Sequence, residues 1–206
     1  MRVSKEKAAE HRQQILSSAA RLFREHGIEA TGVDSITKSA DLTHGAVYSQ
    51  FGSKQAITIE SIRLALGDSK RAWLQAATKR GRRNSFTAVV DSYLSARHRD
   101  APGTGCLVAA LGAELSRQSK SIRDAFTEEF KKAWEFLTVL TASDNSANSG
   151  GDDTLAAFAA MAGALMLARA VTDQSLSDRI LQAMANWIEG RARPRRSART
   201  RRAAGS

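Results

Sequence analysis

The sequence predicts an all-α fold. Apolar residues recur at helical spacing almost throughout, only two prolines interrupt 206 residues, and two short capped segments follow one another across a tight turn between positions 31 and 54. A chain of this length can hold one or two domains and bury a substantial core. No segment reads as a strand.

The first segment is a helix that places Ile15, Leu16, Ala19, Leu22 and Phe23 along one face and ends at Gly27. Thr31 is placed to cap the next helix, with Asp34 three residues on as the partner of a capping box and a favourable charge at the positive end of the dipole. That helix runs to about Ala40. Asp41-Leu42 makes the turn, Thr43 caps a helix carrying Val47, Tyr48 and Phe51, and Gly52-Ser53 ends it while Ser53 caps its successor. Ile36, Ala40, Leu42, Val47 and Phe51 fall where two crossing helices bury them. His44, Gly45, Ala46, Ser49 and Gln50 are left facing outward at the start of the second helix, the part that meets base edges when a helix-turn-helix enters a major groove.

Beyond this head the spacing predicts a long helix over 54–77, a charged break over 79–84, an amphipathic helix over 85–99 and an interruption at Ala101-Pro102-Gly103. Helices over 106–117 and 121–140 follow. The stretch 141–153, rich in Ser, Asn, Asp and Gly, reads as a mobile loop, and helices over 155–171 and 176–189 complete the body.

Arg12-x-x-Ile15-Leu16-x-x-Ala19-x-x-Leu22-Phe23-x-x-x-Gly27, the helix-turn-helix, and the closing Tyr48-x-x-Phe51-x-x-Lys54 together resemble the DNA-binding head of the TetR family of transcriptional regulators. The resemblance covers about residues 9–69, with the helix-turn-helix at about 32–51. It implies a C-terminal effector-binding and dimerisation domain over 70–190. It also implies a homodimer that binds a palindromic double-stranded DNA operator and is released by a small molecule, with repression the expected outcome. Tyr48 and Lys54 resemble the family's phosphate-contacting pair, and backbone amides at the helix starts near Thr31 and Thr43 can add to them. Val33, Asp34, His44, Gly45, Ala46, Ser49 and Gln50 are the candidates for base edges. Two positions depart from the family pattern: Asp41 stands where Gly is most frequent, and Gln50 where His is frequent.

The net charge of +10 is unevenly placed, because seven arginines lie in residues 191–206 and leave only +3 on the rest. That arginine-rich tail has no apolar period and reads as disordered, either a plain solvated terminus or a sequence-independent contact to phosphates. An architectural DNA-coating protein, using this tail and the basic break at 79–83, is the alternative to sequence-specific regulation.

The last two helices carry more apolar surface than one small bundle needs: Leu155, Phe158, Ala159, Ala162, Leu165 and Met166 with Leu176, Ile180, Leu181, Met184, Trp187 and Ile188. The resemblance implies that this pair packs against its twofold mate, and the small residues between 159 and 164 permit close approach. Completing the monomer's own core is the other use of the same residues. Trp73, Phe86, Tyr93, Leu107, Phe126, Phe130, Trp134 and Met161 are candidates to line an apolar pocket for a hydrophobic or aromatic effector, or else ordinary core. The lone Cys106, in Gly105-Cys106-Leu107, resembles the start of the central ligand-domain helix in a TetR subgroup, some of whose members sense electrophiles or oxidants. Its position at a helix start gives thiolate character, while a small buried packing thiol is the plainer reading.

No histidine has a glutamate three residues before it, so the Glu-x-x-His pairs of a di-iron bundle are missing, and neither a phosphate loop nor a nucleophile elbow is written. No catalytic residue, metal ligand or cofactor is expected. The polar first residues lack the pattern of a secretory signal, and the longest uncharged apolar stretch, 154–168, is short for a membrane span. A single cysteine forms no disulfide within the chain. Together these point to a cytoplasmic location without membrane attachment.

Overall fold

The computed structural model describes residues 5–80, 85–142 and 151–192, and they contain ten α-helices and no strand. Positions 143–150 of the loop expected over 141–153, most of the basic break (81–84) and nearly all of the arginine tail (193–206) lie outside the described residues, while Thr141 and residues 151–153 at the loop's two ends are helical instead.

α1 (Lys5–His26) buries Ile15, Leu16, Ala19, Ala20, Leu22 and Phe23, the face its spacing predicts. Gly27 closes it with φ +91° and an amide bonded to the Phe23 carbonyl. Thr31 does not cap the following helix. Its hydroxyl donates to the Gly27 carbonyl at 2.7 Å and its side chain is buried, so it secures the turn after α1; Gly32 holds the cap position of α2 (Val33–Ser39) without a side-chain bond. The predicted capping box is therefore absent, and Asp34 projects into solvent.

In the turn out of α2, Asp41 is the one non-glycine residue with positive φ (54°) among the described residues, a backbone conformation that aspartate tolerates better than most side chains. The Asp41 amide bonds to the Lys38 carbonyl and the Leu42 amide to the Thr37 carbonyl, the paired closure of a Schellman motif. Thr43 caps α3 (His44–Phe51), its Oγ accepting from the Ala46 amide, and Gly52 ends that helix in the left-handed conformation at φ +70°. Ser53 then caps α4 (Lys54–Arg80) through the Ala56 amide at 3.1 Å.

At 27 residues α4 is about 40 Å long. It runs from the head into the body, packing on α1, on α5 (Ser85–Tyr93) and along α8 (Lys120–Thr141). The amphipathic segment predicted over 85–99 is broken: Ser95 caps a separate short α6 (Ala96–Asp100) by accepting from the His98 amide. A 3-10 turn at Pro102–Thr104 leads to α7 (Leu107–Leu115). α9 (Gly151–Ala170) and α10 (Gln174–Ala192) pack on each other, the latter capped by Asp173, whose carboxylate accepts from the amides of Ser175 and Leu176.

α9 is long and apolar enough to cross a membrane by length and composition (mean hydropathy 1.3). Here it is a core helix, with Ala157, Phe158, Met161, Ala162, Ala164, Leu165 and Ala168 buried. One contiguous apolar cluster runs from Ile15 and Ile36 in the head through Ile57 and Leu66 of α4 to Leu165 and Ile188. Arg99, almost wholly buried, joins α6 to α10 by donating to Asp178 and to Ser177 Oγ; its two carboxylate neighbours, Asp100 and Asp178, hold its pKa above the ordinary value.

Candidate DNA interface and effector cavity

α3 offers a narrow exposed strip. His44, Gly45, Tyr48 and Ser49 are exposed, Ala46 is half-buried, and Val47 seals the underside against the head core. The His44 imidazole pairs with the Asp34 carboxylate of α2 and lies 5.3 Å from the Tyr48 ring, so three expected contact residues form one surface. A Cβ on Gly45 would meet nothing within 4 Å. The fold does not require glycine there, and its small size leaves the first turn of α3 open to close approach by a partner backbone.

Three expected contacts turn away from the exposed strip and a fourth, Lys54, is partly engaged by the head itself. Gln50 turns back into the molecule, its Nε2 donating to the Ala8 carbonyl of α1 at 3.2 Å. Val33 packs partly against the core, and buried Thr31 presents no side chain to a ligand. Lys54 is half-buried, its ammonium 3.4 Å from the Glu29 carbonyl.

Arg12, seen in the sequence only as part of a family pattern, fixes the recognition helix. Its Nη1 donates to the Gln50 carbonyl at 3.0 Å, its Nη2 pairs with Glu60 of α4 at 3.1 Å, and its guanidinium lies 4.3 Å from the centre of the Phe51 ring. A planar guanidinium can hold a carbonyl, a carboxylate and a ring face at once, which lysine cannot. The Arg12-to-Phe51 separation is too long for any helical period to reveal.

In the body, a cavity of about 540 Å³ opens between α4, α5, α6 and the start of α7. Of the residues expected to line an effector pocket, Trp73, Tyr93 and Cys106 do so. Phe86, Leu107 and Met161 are fully buried core, and Phe126 packs against it; Phe130 and Trp134, with Trp73, surround only a tight apolar space between α4, α8 and α9. The larger cavity also carries Asp68, Lys79, Asp91, Arg97 and His98, so it is more polar than the aromatic residues suggest.

His98 is held at this wall. Its Nε2 accepts from the Cys106 amide at 2.9 Å, so Nδ1 carries the proton and donates to the Tyr93 carbonyl at 2.7 Å. Burial disfavours the imidazolium and lowers its pKa. The Cys106 thiol is buried beside the Tyr93 hydroxyl, whose pKa burial pushes up. Among the described residues no cluster of three or more His, Cys, Asp or Glu side chains could hold a metal ion.

These features define a class: a helix-turn-helix protein whose capped head is mounted on a larger helical body containing a cavity. Residues 15–60, the helix-turn-helix head, match the family described as bacterial regulatory proteins, tetR family. It is 41% identical over 59 residues to the HTH-type transcriptional regulator AcrR of Shigella flexneri, a match covering 29% of this chain and 27% of that protein. It is 26% identical over 127 residues to the HTH-type transcriptional repressor DhaR of Mycobacterium sp. (strain GP1), covering 59% and 60%. The chain thus spans less than two thirds of either relative's length. Among solved structures, E. coli NemR in its reduced form superposes with a TM-score of 0.73 at 20% identity, covering 87% of this chain and 95% of that one. A TetR-family regulator from Cytophaga hutchinsonii gives 0.74 at 20% identity, covering 94% and 100%. At such identity the likeness establishes the fold.

Proposed function

We propose that this protein is a cytoplasmic transcriptional repressor that binds a palindromic operator as a homodimer and releases it when a small molecule enters the body. The observation that carries this reading is the exposed strip of α3, with His44, Gly45, Tyr48 and Ser49 outward while Gln50 and Arg12 lock the rest of the helix to α1. His44, Ser49 and Ala46 are assigned to base edges, Asp34 to positioning His44, and Tyr48, Lys54 and the amides at Thr43 to phosphates.

The dimer is assigned to α9 and α10. Phe158, Ala162, Leu165, Leu181 and Ile188 are used inside the monomer, but Met166, Leu167, Leu176 and Trp187 remain between two fifths and just over half exposed, an apolar surface on the outer pair of helices. The effector is assigned to the 540 Å³ cavity, where Trp73 and Tyr93 suit a ring and the charged lining suits polar substituents on it. An electrophilic effector would find the Cys106 thiol in that wall.

Selection of DNA from a random pool with the purified chain tests the reading. The expected winner is a palindrome with half-sites about one turn apart, ~34–36 Å. Trp187→Glu should yield monomers by sedimentation that bind this palindrome poorly. Equal binding to all sequences, lost steeply as salt rises, would replace the regulator with an architectural protein.

A further inference from the structure

One short segment of chain faces both the cavity and the head. Thr104, Gly105 and Cys106 line the cavity, while the Gly103 carbonyl, on the other side of the same turn, accepts two hydrogen bonds from Arg24 of α1, at 2.8 Å from Nε and 2.5 Å from Nη2. Neither end has slack. A Cβ on Gly103 would collide with the Glu25 carboxylate and come within 2.8 Å of Arg21 Cγ, so the turn is pressed onto α1. A Cβ on Gly105 would lie 2.9 Å from both Arg169 Nη2 and the His98 ring, so the turn is equally tight against the body. At the cavity end the Cys106 amide is held by His98, itself held by the Tyr93 carbonyl.

The head end continues to α3. α1 carries the recognition helix through Arg12 and Gln50, and its C-terminal turn is clasped by the body a second time: the Glu114 carboxylate, in the last turn of α7, accepts from the amides of Ile28 (3.0 Å) and Glu29 (2.7 Å). Cys106 holds the cap position of α7, so the helix that carries Glu114 also starts from this stretch of cavity wall.

We propose that Arg24 is the positioning residue through which this cavity and the DNA-binding head sense one another, with the 102–106 turn as the rigid strut between them. The proposal rests on the DNA-binding reading for its consequence but not for its geometry. Displacing the Tyr93–His98 wall must move the strut, and moving the strut must either carry α1 with it or break both bonds to a guanidinium that is itself more than nine-tenths buried. Such a coupling is reciprocal, so fixing the head must also quiet the cavity wall.

The chain's single cysteine reports on that wall without any knowledge of the natural effector. Methyl methanethiosulfonate transfers its methylthio group to the Cys106 thiolate, forming a mixed disulfide and releasing methanesulfinate, and the modification rate is read by mass. Arg24→Lys retains the charge but cannot make the two-pronged bond, and Arg24→Met removes both. Without DNA, Arg24→Lys should label at least threefold faster than the wild type, with Arg24→Met faster still and thermal unfolding still cooperative. The amides of Ile28 and Glu29 should exchange faster in step. The selected palindrome should slow labelling at least fivefold in the wild type and less than twofold in Arg24→Lys. Equal labelling rates in wild type and Arg24→Lys, or equal slowing by DNA in both, would overturn the proposal. If no palindrome is selected, the regulator reading fails, and the DNA-free rates still decide whether Arg24 holds the wall.

Discussion

The helix ends of the head close through hydrogen bonds between residues three to five apart and its recognition helix is tied to α1 across 38 and 42 positions, whereas the joints that orient the body and attach it to the head span 79 to 86. Thr43 to Ala46, Ser53 to Ala56 and the closure at Asp41-Leu42 each complete within one turn. Arg24 reaches Gly103 across 79 positions, Arg99 reaches Asp178 across 79, and Glu114 reaches Ile28 across 86. Local closures fix the shape of a motif and distant ones fix its pose. A head whose turns close locally and whose recognition helix is tied to its own α1 can keep its shape while the joints to the body adjust where it points.

The largest expected effect tests whether that division extends to stability. Phe23 is buried in an apolar cluster continuous from head to body, so Phe23→Ala should cost about 3–5 kcal/mol and lower Tm by roughly 6–20 °C in one calorimetric transition. Two resolved transitions would show that the head melts by itself and that the shared cluster does not bind the regions into one cooperative unit.

The same division governs what the sequence disclosed. The helix order, the turn at Asp41, the cap at Thr43 and the buried faces of α1 and α3 follow from signals a few residues long, and these were legible. Thr31 misled because two turns compete for its hydroxyl: a threonine four residues after a helix-ending carbonyl can close that turn as readily as start the next helix. Gln50 misled because outward spacing on α3 does not reveal that α1 lies across it. The cavity was least legible. Of its expected lining only Trp73, Tyr93 and Cys106 reach it, since aromatic residues at core spacing look alike whether they face a gap or another side chain.

On the head's surface, the contrast sharpens into chemistry. His44→Ala removes an imidazole whose partners, Asp34 and Tyr48, are both on the exposed patch, so folding should change little. Discrimination at one operator position should fall by ~1–3 kcal/mol. Uniform weakening across operator variants would instead make His44 a phosphate-side positioning residue.

The turn itself gives a smaller effect with a definite sign. Asp41 holds φ at 54°, where a β-branched side chain is penalised by about 1–2 kcal/mol and glycine by nothing. Asp41→Val should therefore destabilise by that amount, and Asp41→Gly should be neutral or slightly stabilising in urea unfolding. Equal losses from both would mean that the aspartate carboxylate, and not the backbone, maintains the turn.

The smallest effect belongs to the body and carries a pH signature. Burial lowers the His98 pKa below its ordinary 6.5, and the Cys106 amide requires an unprotonated Nε2. Facing it are the Tyr93 ring and carbonyl from α5, the Arg169 guanidinium from α9, whose charge further opposes protonation, and the Cys106 thiol at the start of α7. Between the folded and unfolded pKa values the unfolded chain binds more protons, so stability rises with pH through that window. The contribution of His98 is complete above about 6.5 and is lost as pH falls toward the lowered folded value. His98→Gln can supply a side-chain acceptor without titrating, so it should flatten the slope of unfolding free energy just below pH 6.5 while leaving stability at pH 8 within about 1–2 kcal/mol of wild type. An unchanged slope would place the proton elsewhere, and the wall of the cavity would then be held by something other than a neutral imidazole.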